Sequence, residues 1–264
     1  MPLLMLFPLL GTVLFLRRKC RLSDSAAILH AVSGFLLLLY TGALLGLLQG
    51  SALALAGLGL LLLAWELWLH FRERELRVSV PLLLLLVLPA LYWLVHSESQ
   101  PLFWDEYSHW GVYVREMSAT HQLWSGETNA SHADYPPGTA LWQYWFTVLA
   151  GYSEGTVYLA QFVFLLSPLL VLFEHIGWKR LLWVPGLLAL LAAGFANFGH
   201  GITSLYVDHI LSAWYAGILL HGLCCRADRP LETGLLALPL AVLLLIKDAG
   251  LPLVASGIGF LFCL

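Results

Sequence analysis

Nine apolar runs separated by short polar stretches constrain this chain more than any other feature. They cover residues 2–16, 26–48, 53–71, 80–95, 156–173, 181–195, 210–225, 235–246 and 251–264. Charged residues make up only 11% of the chain, whereas a soluble domain carries roughly a quarter. One water-soluble core cannot bury that much apolar surface, so lipid must be the solvent for most of it. We expect an all-α fold: a polytopic transmembrane helix bundle of about eight or nine spans.

Several runs are shorter than the roughly 20 residues that a perpendicular span needs. One or two of them are therefore expected to be re-entrant rather than complete spans. The last run stops at Leu264 without a polar flank. That ending favours a piece of a longer chain.

The basic residues predict an orientation. Most of the 13 Lys and Arg residues lie in four clusters, which are Arg17, Arg18, Lys19 and Arg21; Arg72, Arg74 and Arg77; Lys179 and Arg180; and Arg226 and Arg229. Threading the nine runs alternately across a membrane brings all four clusters to one side. By the positive-inside rule that side is the cytoplasm, which places the N-terminus outside.

Two cations, Arg115 and Lys247, remain on the outer side, where carboxylates predominate. One interpretation is that they bind an anionic ligand next to the membrane. The alternative is that each pairs with a neighbouring acid, Asp248 in the case of Lys247. The pattern alone leaves both interpretations open.

The polar loop at 97–137 is too long for a plain turn, and loops of this length are usually functional. Trp104, Tyr107 and Trp110 begin a series, continued by Val114 and Met117, that recurs at three- and four-residue steps. This spacing predicts a helix over 104–118 with one apolar face. Such a helix is expected to lie along the membrane interface.

Asp105 and Glu106 fall in the first turn of that helix. Carboxylates are favoured there by about 0.3–1 kcal/mol, so both are explained by capping alone. The functional interpretation makes Asp105 a catalytic base. His109 lies four residues further on, on the same helix face.

The sequence Tyr135-Pro136-Pro137-Gly138 follows. Tandem prolines impose an extended approach and suit the start of a helix, where no amide donor is lost. The next stretch, about thirteen residues long and rich in aromatics, predicts a short juxtamembrane helix. Its structural alternative is an aromatic anchor at the membrane interface.

These motifs together resemble the GT-C class of membrane glycosyltransferases. The resemblance is closer to the protein-O-mannosyltransferase and aminoarabinose-transferase branch, which uses polyprenyl-phosphate sugars. It rests on WDEYSHW at 104–110, YPPG at 135–138, LYVDH at 205–209 and IKDAG at 246–250. It covers about residues 97–255. Four apolar runs precede the acidic loop here, whereas those families usually place that loop after the first span.

The resemblance implies transfer of a sugar from a polyprenyl-phosphate donor to a glycan, lipid or protein acceptor. It makes Asp105 and Glu106 the catalytic pair, with Asp105 as base and Glu106 positioning it or binding the acceptor. The implied substrate-binding residues are His109, Arg115, Tyr135, Pro136, Pro137, Asp208 and Lys247. Arg115 and Lys247 are the candidates for the lipid phosphate. Lys247 is preferred, because Arg115 lies about 15 Å along the helix from Asp105.

This interpretation predicts three regions and a cellular location. They are a four-span region at 1–96, an outer catalytic loop with juxtamembrane helices at 97–153, and truncated C-terminal spans at 154–264. The chain is expected in the bacterial inner membrane as a multi-pass protein, with its active site facing the periplasm or exterior and membrane lipids around it.

No cofactor is required by the sequence. Some GT-C enzymes use a divalent metal, but no metal-ligand spacing demands one here. No basic run is long enough to follow a nucleic acid backbone. The alternative function is a transporter or lipid flippase without glycosyl transfer, whose acids would form a relay within the spans. Glu66 is the main acid that fits such a relay. A structural membrane subunit without activity is a third alternative.

Overall fold

The computed structural model describes residues 2–73, 78–196, 200–225 and 230–263, and within these ranges the fold is all-α. The α-helices are α1 (Leu6–Cys20), α2 (Asp24–Leu44), α3 (Leu48–Glu73), α4 (Val80–His96), α5 (Gly111–Thr120), α6 (Gly138–Ala150), α7 (Glu154–Leu169), α8 (Trp183–Phe195), α9 (Asp208–Cys224), α10 (Pro230–Leu235), α11 (Ala237–Ile246) and α12 (Gly250–Phe262). Short 3₁₀ segments lie at Pro2–Met5, Leu170–Phe173, Trp178–Arg180 and Gly201–Thr203, and a π-helical turn lies at Glu106–Trp110.

Three helices in the described ranges are long and apolar enough to cross a membrane: Asp24–Leu44, Leu48–Glu73 and Glu154–Phe173. They indicate a multi-pass membrane protein. The expectation of eight or nine complete spans is wrong for these ranges, because most of the other apolar runs form helices of 10–17 residues. A helix of 13 residues rises only about 20 Å, which is short of the roughly 30 Å of bilayer hydrocarbon.

α7 is the central helix. It packs against α2, α4, α6 and α9, and its membrane-spanning stretch is almost entirely buried. Trp142 of α6 donates its indole N–H to the Ala160 carbonyl at 2.8 Å, and Trp214 of α9 donates to the Phe164 carbonyl at 3.1 Å. These bonds satisfy the polar atoms of two fully buried rings and fix the neighbouring helices to α7.

α1 and α3 cross closely because two glycines face each other. A Cβ added at Gly11 would clash with the Gly59 carbonyl oxygen. At the far end of this helix pair, the Arg18 guanidinium contacts the Glu66 carboxylate at 2.8 Å and that of Glu73 at 2.9 Å. Glu66 is 1% exposed, so the ion pair accounts for a carboxylate inside an apolar helix.

One end of the molecule collects the basic clusters and is called the basic end below. The backbone N–H of Ser25, at the start of α2, donates to the Glu174 carboxylate at 2.8 Å. This bond places Arg17 and Arg18 at the same end as Lys179 and Arg180, as alternate threading requires. Arg74, Arg77, Arg226 and Arg229 lie outside the described residues.

The opposite end carries residues 97–137 and is called the loop end. Gln49, at the start of α3, contacts His121 there at 3.3 Å. The predicted helix over 104–118 is present, but the prediction that its apolar residues share one face is wrong. Trp104 is exposed, whereas Val114 is fully buried. The reason is the π-helical turn, whose extra residue rotates the following face.

α6 is the predicted thirteen-residue helix, and it is too short to span. It packs against the Pro2–Met5 turn as well as α5 and α7. The interpretation as an interfacial aromatic anchor is wrong, because Trp142, Tyr144 and Trp145 are fully buried in the core. The division into 1–96, 97–153 and 154–264 stays a prediction, although α6 belongs to the common core.

Cysteine labelling tests the two-ended topology. In a background lacking the four native cysteines, Ser125→Cys should react with a membrane-impermeant maleimide in intact cells. Lys179→Cys should react only after permeabilisation, because it lies at the basic end. Both side chains are exposed, so failure to label reflects sidedness rather than burial. Labelling of Lys179→Cys in intact cells would show that the basic end faces outward and would contradict the predicted orientation.

Candidate active site at the loop end

Glu106 anchors the loop end. One oxygen of its carboxylate accepts the backbone N–H groups of Leu102 at 2.8 Å and Phe103 at 3.0 Å. The other oxygen accepts the Tyr158 hydroxyl at 3.0 Å and the Leu205 backbone N–H at 2.7 Å. Glu106 is 1% exposed. Four donors occupy its lone pairs, so it holds the site together and is poorly placed to exchange a proton with a substrate.

Asp105 differs from its neighbour. It is half-buried and makes no capping hydrogen bond to the helix it precedes. Burial raises the pKa of the Tyr206 phenol and the negative charge of Asp105 adds to the shift, so the phenol stays protonated. Capping does not explain Asp105 here.

A buried amide chain fixes Tyr206. Gln143 of α6 donates to the side-chain oxygen of Gln161 at 2.8 Å, and Gln161 donates to the Tyr206 backbone carbonyl at 3.1 Å. Both glutamines are 2% exposed. Because amides buried without partners are costly, this chain sets the relative positions of α6, α7 and the segment before α9.

His109 lies in the same neighbourhood. Burial lowers the pKa of His109; the Asp105 carboxylate opposes this shift, while His132 and Lys247 add to it. Its Nδ1 contacts the Ser108 hydroxyl at 2.8 Å. The imidazole is therefore neutral near pH 7, and it is electrostatically coupled to both Asp105 and Lys247.

The loop carrying Tyr135 folds back onto the helix at 104–120. The Tyr113 hydroxyl donates to the carbonyls of Ser131 at 2.9 Å and His132 at 2.6 Å. The Ser131 backbone N–H donates to the Ser108 carbonyl at 2.8 Å. These bonds bring the residues before YPPG next to His109.

Two groups of aromatic rings line the site. The Tyr135 ring stacks on Trp110, with centroids 5.3 Å apart, and meets His109 edge-on at 5.5 Å. The second group joins the loop to the segment before α9. There Phe103 stacks on His200 at 3.9 Å between ring centroids.

Lys247 pairs with Asp208, its Nζ lying 2.7 Å from Oδ1. The open alternatives for Lys247 included the adjacent Asp248, but the partner is 39 residues away in sequence. Lys247 has extended backbone geometry and ends α11. Its ammonium is therefore at a helix end, partly exposed, and not buried in an apolar run.

Gly138 explains how YPPG reaches this turn. A Cβ at Gly138 would clash with the Leu245 carbonyl oxygen, so only glycine lets α6 approach α11 so closely. Pro137 is the N-cap residue of α6, and its carbonyl accepts the Leu141 N–H at 2.8 Å. Pro136 is half-buried in the turn before it. The two prolines shape the backbone.

Arg115 is placed elsewhere. It is well exposed and pairs with Glu154 at the start of α7, at 2.9 Å. Tyr152 donates to the same Glu154 oxygen at 2.9 Å. Both outer cations are therefore paired with an acid, Arg115 with Glu154 and Lys247 with Asp208.

The structure thus brings Asp105, Glu106, His109 and Tyr135 together at the loop end, and the contact of Gly138 with Leu245 places the YPPG turn next to the segment that carries Lys247 and its partner Asp208. Sequence reasoning missed Phe103, Tyr158, Gln161 and Tyr206 as parts of the site. Tyr206 is the only one of these inside a recognised motif, two residues before Asp208. The others carry no sequence signal, because their roles come from contacts between distant segments.

Within the described ranges, no three His, Cys, Asp or Glu side chains are grouped so that they could hold a metal ion. No protein family, curated protein sequence or solved structure matches this chain. The assignment of function rests on the geometry of the loop end.

Replacing Glu106 by Gln tests its structural role. The amide keeps the shape but turns an N–H group toward groups that are themselves donors, so the free energy of unfolding should fall by about 2–4 kcal/mol. Asp105→Asn should cost less than about 1 kcal/mol. Unfolding in mixed detergent micelles measures both. Equal losses for the two variants would contradict the distinction between them.

Gly138→Ala tests the approach of α6 to α11. The added methyl group must displace the Leu245 backbone, which should lower the free energy of unfolding by about 1–3 kcal/mol. Gly126→Ala is the matched control, because a Cβ there meets nothing within 4 Å. If Gly138→Ala unfolds like the control, the YPPG turn does not depend on this contact.

Proposed function

We propose that the chain is an integral membrane glycosyltransferase that transfers a sugar from a polyprenyl-phosphate donor to an acceptor hydroxyl at the loop end. The proposal is supported mainly by the position of the YPPG turn. Its Tyr135 ring meets His109, four residues after Asp105, with centroids 5.5 Å apart, and its Gly138 lies against the Leu245 carbonyl, two residues before Lys247. Base and phosphate partner are the two groups that this chemistry needs.

Asp105 is the general base. It takes the proton from the acceptor hydroxyl as that oxygen forms a bond to the anomeric carbon of the sugar. The bond between the anomeric carbon and the phosphate oxygen breaks on the opposite face, so the configuration inverts without a covalent enzyme intermediate. Glu106 positions Asp105, because its carboxylate binds the backbone N–H of Phe103 just before Asp105 and that of Leu205 in the segment before α9.

The Lys247 ammonium group stabilises the negative charge that develops on the leaving phosphate. In the structure its ammonium contacts Asp208, and the Asp208 side chain is 47% exposed. A donor phosphate can replace this carboxylate because Asp208 is free to turn toward solvent. Asp208 then accepts hydrogen bonds from sugar hydroxyls. When the donor phosphate replaces the Asp208 carboxylate, the positive charge of Lys247 still has an anionic partner.

The aromatic groups provide the sugar-binding walls. Binding sites for small molecules combine apolar and aromatic linings with a few polar groups that fix orientation. Tyr135, against His109, supplies one such lining, and Phe103, two residues before Asp105, supplies the other. His109, being neutral, offers hydrogen bonding without placing a second cation beside the phosphate.

The transporter or flippase alternative requires an ionisable relay within the spans. Glu66 was the acid that best fitted a relay, and it is ion-paired with Arg18 at the basic end. Its position supports a structural role. The acids that remain available for chemistry, Asp105 and Asp208, are partly exposed at the loop end, which the proposal places in the periplasm or exterior of a bacterial cell.

Asp105→Asn should reduce sugar transfer by 10²–10⁴-fold, the usual loss when a general base is removed. Transfer is measured with purified protein in liposomes containing a radiolabelled polyprenyl-phosphate sugar and a mixture of membrane acceptors. Glu127→Gln, an exposed acid in the same loop, should retain wild-type activity. An asparagine variant with more than about a tenth of wild-type activity would exclude Asp105 as the base.

Lys247→Gln should weaken binding of the donor about tenfold, because it removes a charge-assisted contact with phosphate. Arg115→Gln loses the same charge at a site paired with Glu154 and should bind donor as the wild type does. Titration of each purified variant with the polyprenyl-phosphate sugar measures this. Equal affinities for wild type and Lys247→Gln would make Lys247 a structural partner of Asp208 only.

A further inference from the structure

A groove at the basic end is not used by the proposed reaction. It has a volume of about 600 Å³ and lies between the segment after α7 and the first turns of α8. Its rim carries His175 and Arg180, and its floor is formed by apolar side chains that include Leu182, Trp183, Leu187 and Leu190. Its size falls within the roughly 300–1,000 Å³ of ordinary ligand sites.

The helix that forms the floor of this groove stands away from the bundle. Val184 is the only buried residue that α8 contributes among those described. Leu182 and Trp183 at its start are 94% and 71% exposed, and Leu190 is 68% exposed. So large an apolar surface is stable only against lipid, and tryptophans in such positions are typical of the membrane interface.

The charges of the rim are available to a ligand. In the part of the chain that the structure describes, the Arg180 side chain makes no hydrogen bond or ion pair. The nearest acid along the chain, Glu174, accepts the Ser25 backbone N–H. Trp178 is also engaged, because its indole donates to the Val78 carbonyl at 3.0 Å. Among the described residues, Arg180 therefore has no protein anion paired with it at the groove.

We propose that this groove binds one anionic phospholipid, with its phosphate on Arg180 and an acyl chain along the apolar floor. A soluble anion would satisfy Arg180 but leave the floor exposed to water. A zwitterionic lipid would cover the floor but bring its own cation close to the guanidinium. Planar guanidinium groups suit phosphate, and clustered basic residues beside a membrane attract anionic headgroups. The site is independent of the chemistry at the loop end.

The proposed contact between the lipid phosphate and Arg180 is tested by native mass spectrometry. The full chain is extracted from nanodiscs of phosphatidylcholine that contain one-fifth phosphatidylglycerol. The wild type should retain phosphatidylglycerol preferentially. Arg180→Gln should lose that preference by about tenfold, since a hydrogen-bonded charge contact is removed. Lys179→Gln, an adjacent loss of the same charge outside the groove, should change retention less than twofold. Equal losses for both variants would show diffuse attraction and overturn the site.

Substitutions on α8 test whether an acyl chain binds along the apolar floor of the groove. Gly186 lines the groove, and a Cβ there meets nothing within 4 Å, so Gly186→Leu fills the floor without disturbing the fold. Gly194→Leu is the matched control on the same helix, equally open but outside the groove. Gly186→Leu should reduce retained phosphatidylglycerol several-fold and the control should not. Retention unaffected by Gly186→Leu would overturn the proposal, because the lipid would then lie elsewhere.

Discussion

The carboxylate of Glu106 accepts hydrogen bonds from the loop before its own helix, from α7 and from the segment that leads into α9. Burying an unpaired carboxylate costs several kcal/mol, and each bond to a charged acceptor returns about 1.5–3 kcal/mol. Only when all four donors are in place is the burial offset. The loop end is therefore ordered as a unit, and the backbone on both sides of Asp105 is fixed by this one group. The π-helical turn also begins at Glu106, and this turn sets which of the following side chains face the site.

Much of the fold follows from the sequence because apolar runs and helix start signals are local. The runs at 26–48, 53–71 and 156–173 correspond to the three helices able to span a membrane. The number of spans could not be read in the same way. The runs at 181–195, 235–246 and 251–264 form helices that are too short to cross a membrane, and hydropathy does not register where hydrogen bonding between turns stops.

The candidate site could be predicted in part from the sequence. Lys247 stood out because its charge follows an apolar run directly, whereas Asp105 stood out only through the resemblance, since capping alone would explain it. The partner of Lys247 could not be predicted, since Asp208 is brought to it only by the packing of α9 and α11. Glu106 was indistinguishable from Asp105 in sequence, because the difference between a saturated and an accessible carboxylate lies entirely in tertiary contacts. The face of the helix at 104–118 was misjudged because the π-helical turn at Glu106–Trp110 shifts the register of the residues after it.

A structure of the protein bound to a phosphonate analogue of a polyprenyl-phosphate sugar tests the account most directly. The account predicts that the phosphonate contacts the Lys247 ammonium in place of Asp208, and that the anomeric carbon faces Asp105 across space for an acceptor oxygen. An ordered analogue whose phosphonate lies away from Lys247, for instance beside Arg115 and Glu154, would contradict it.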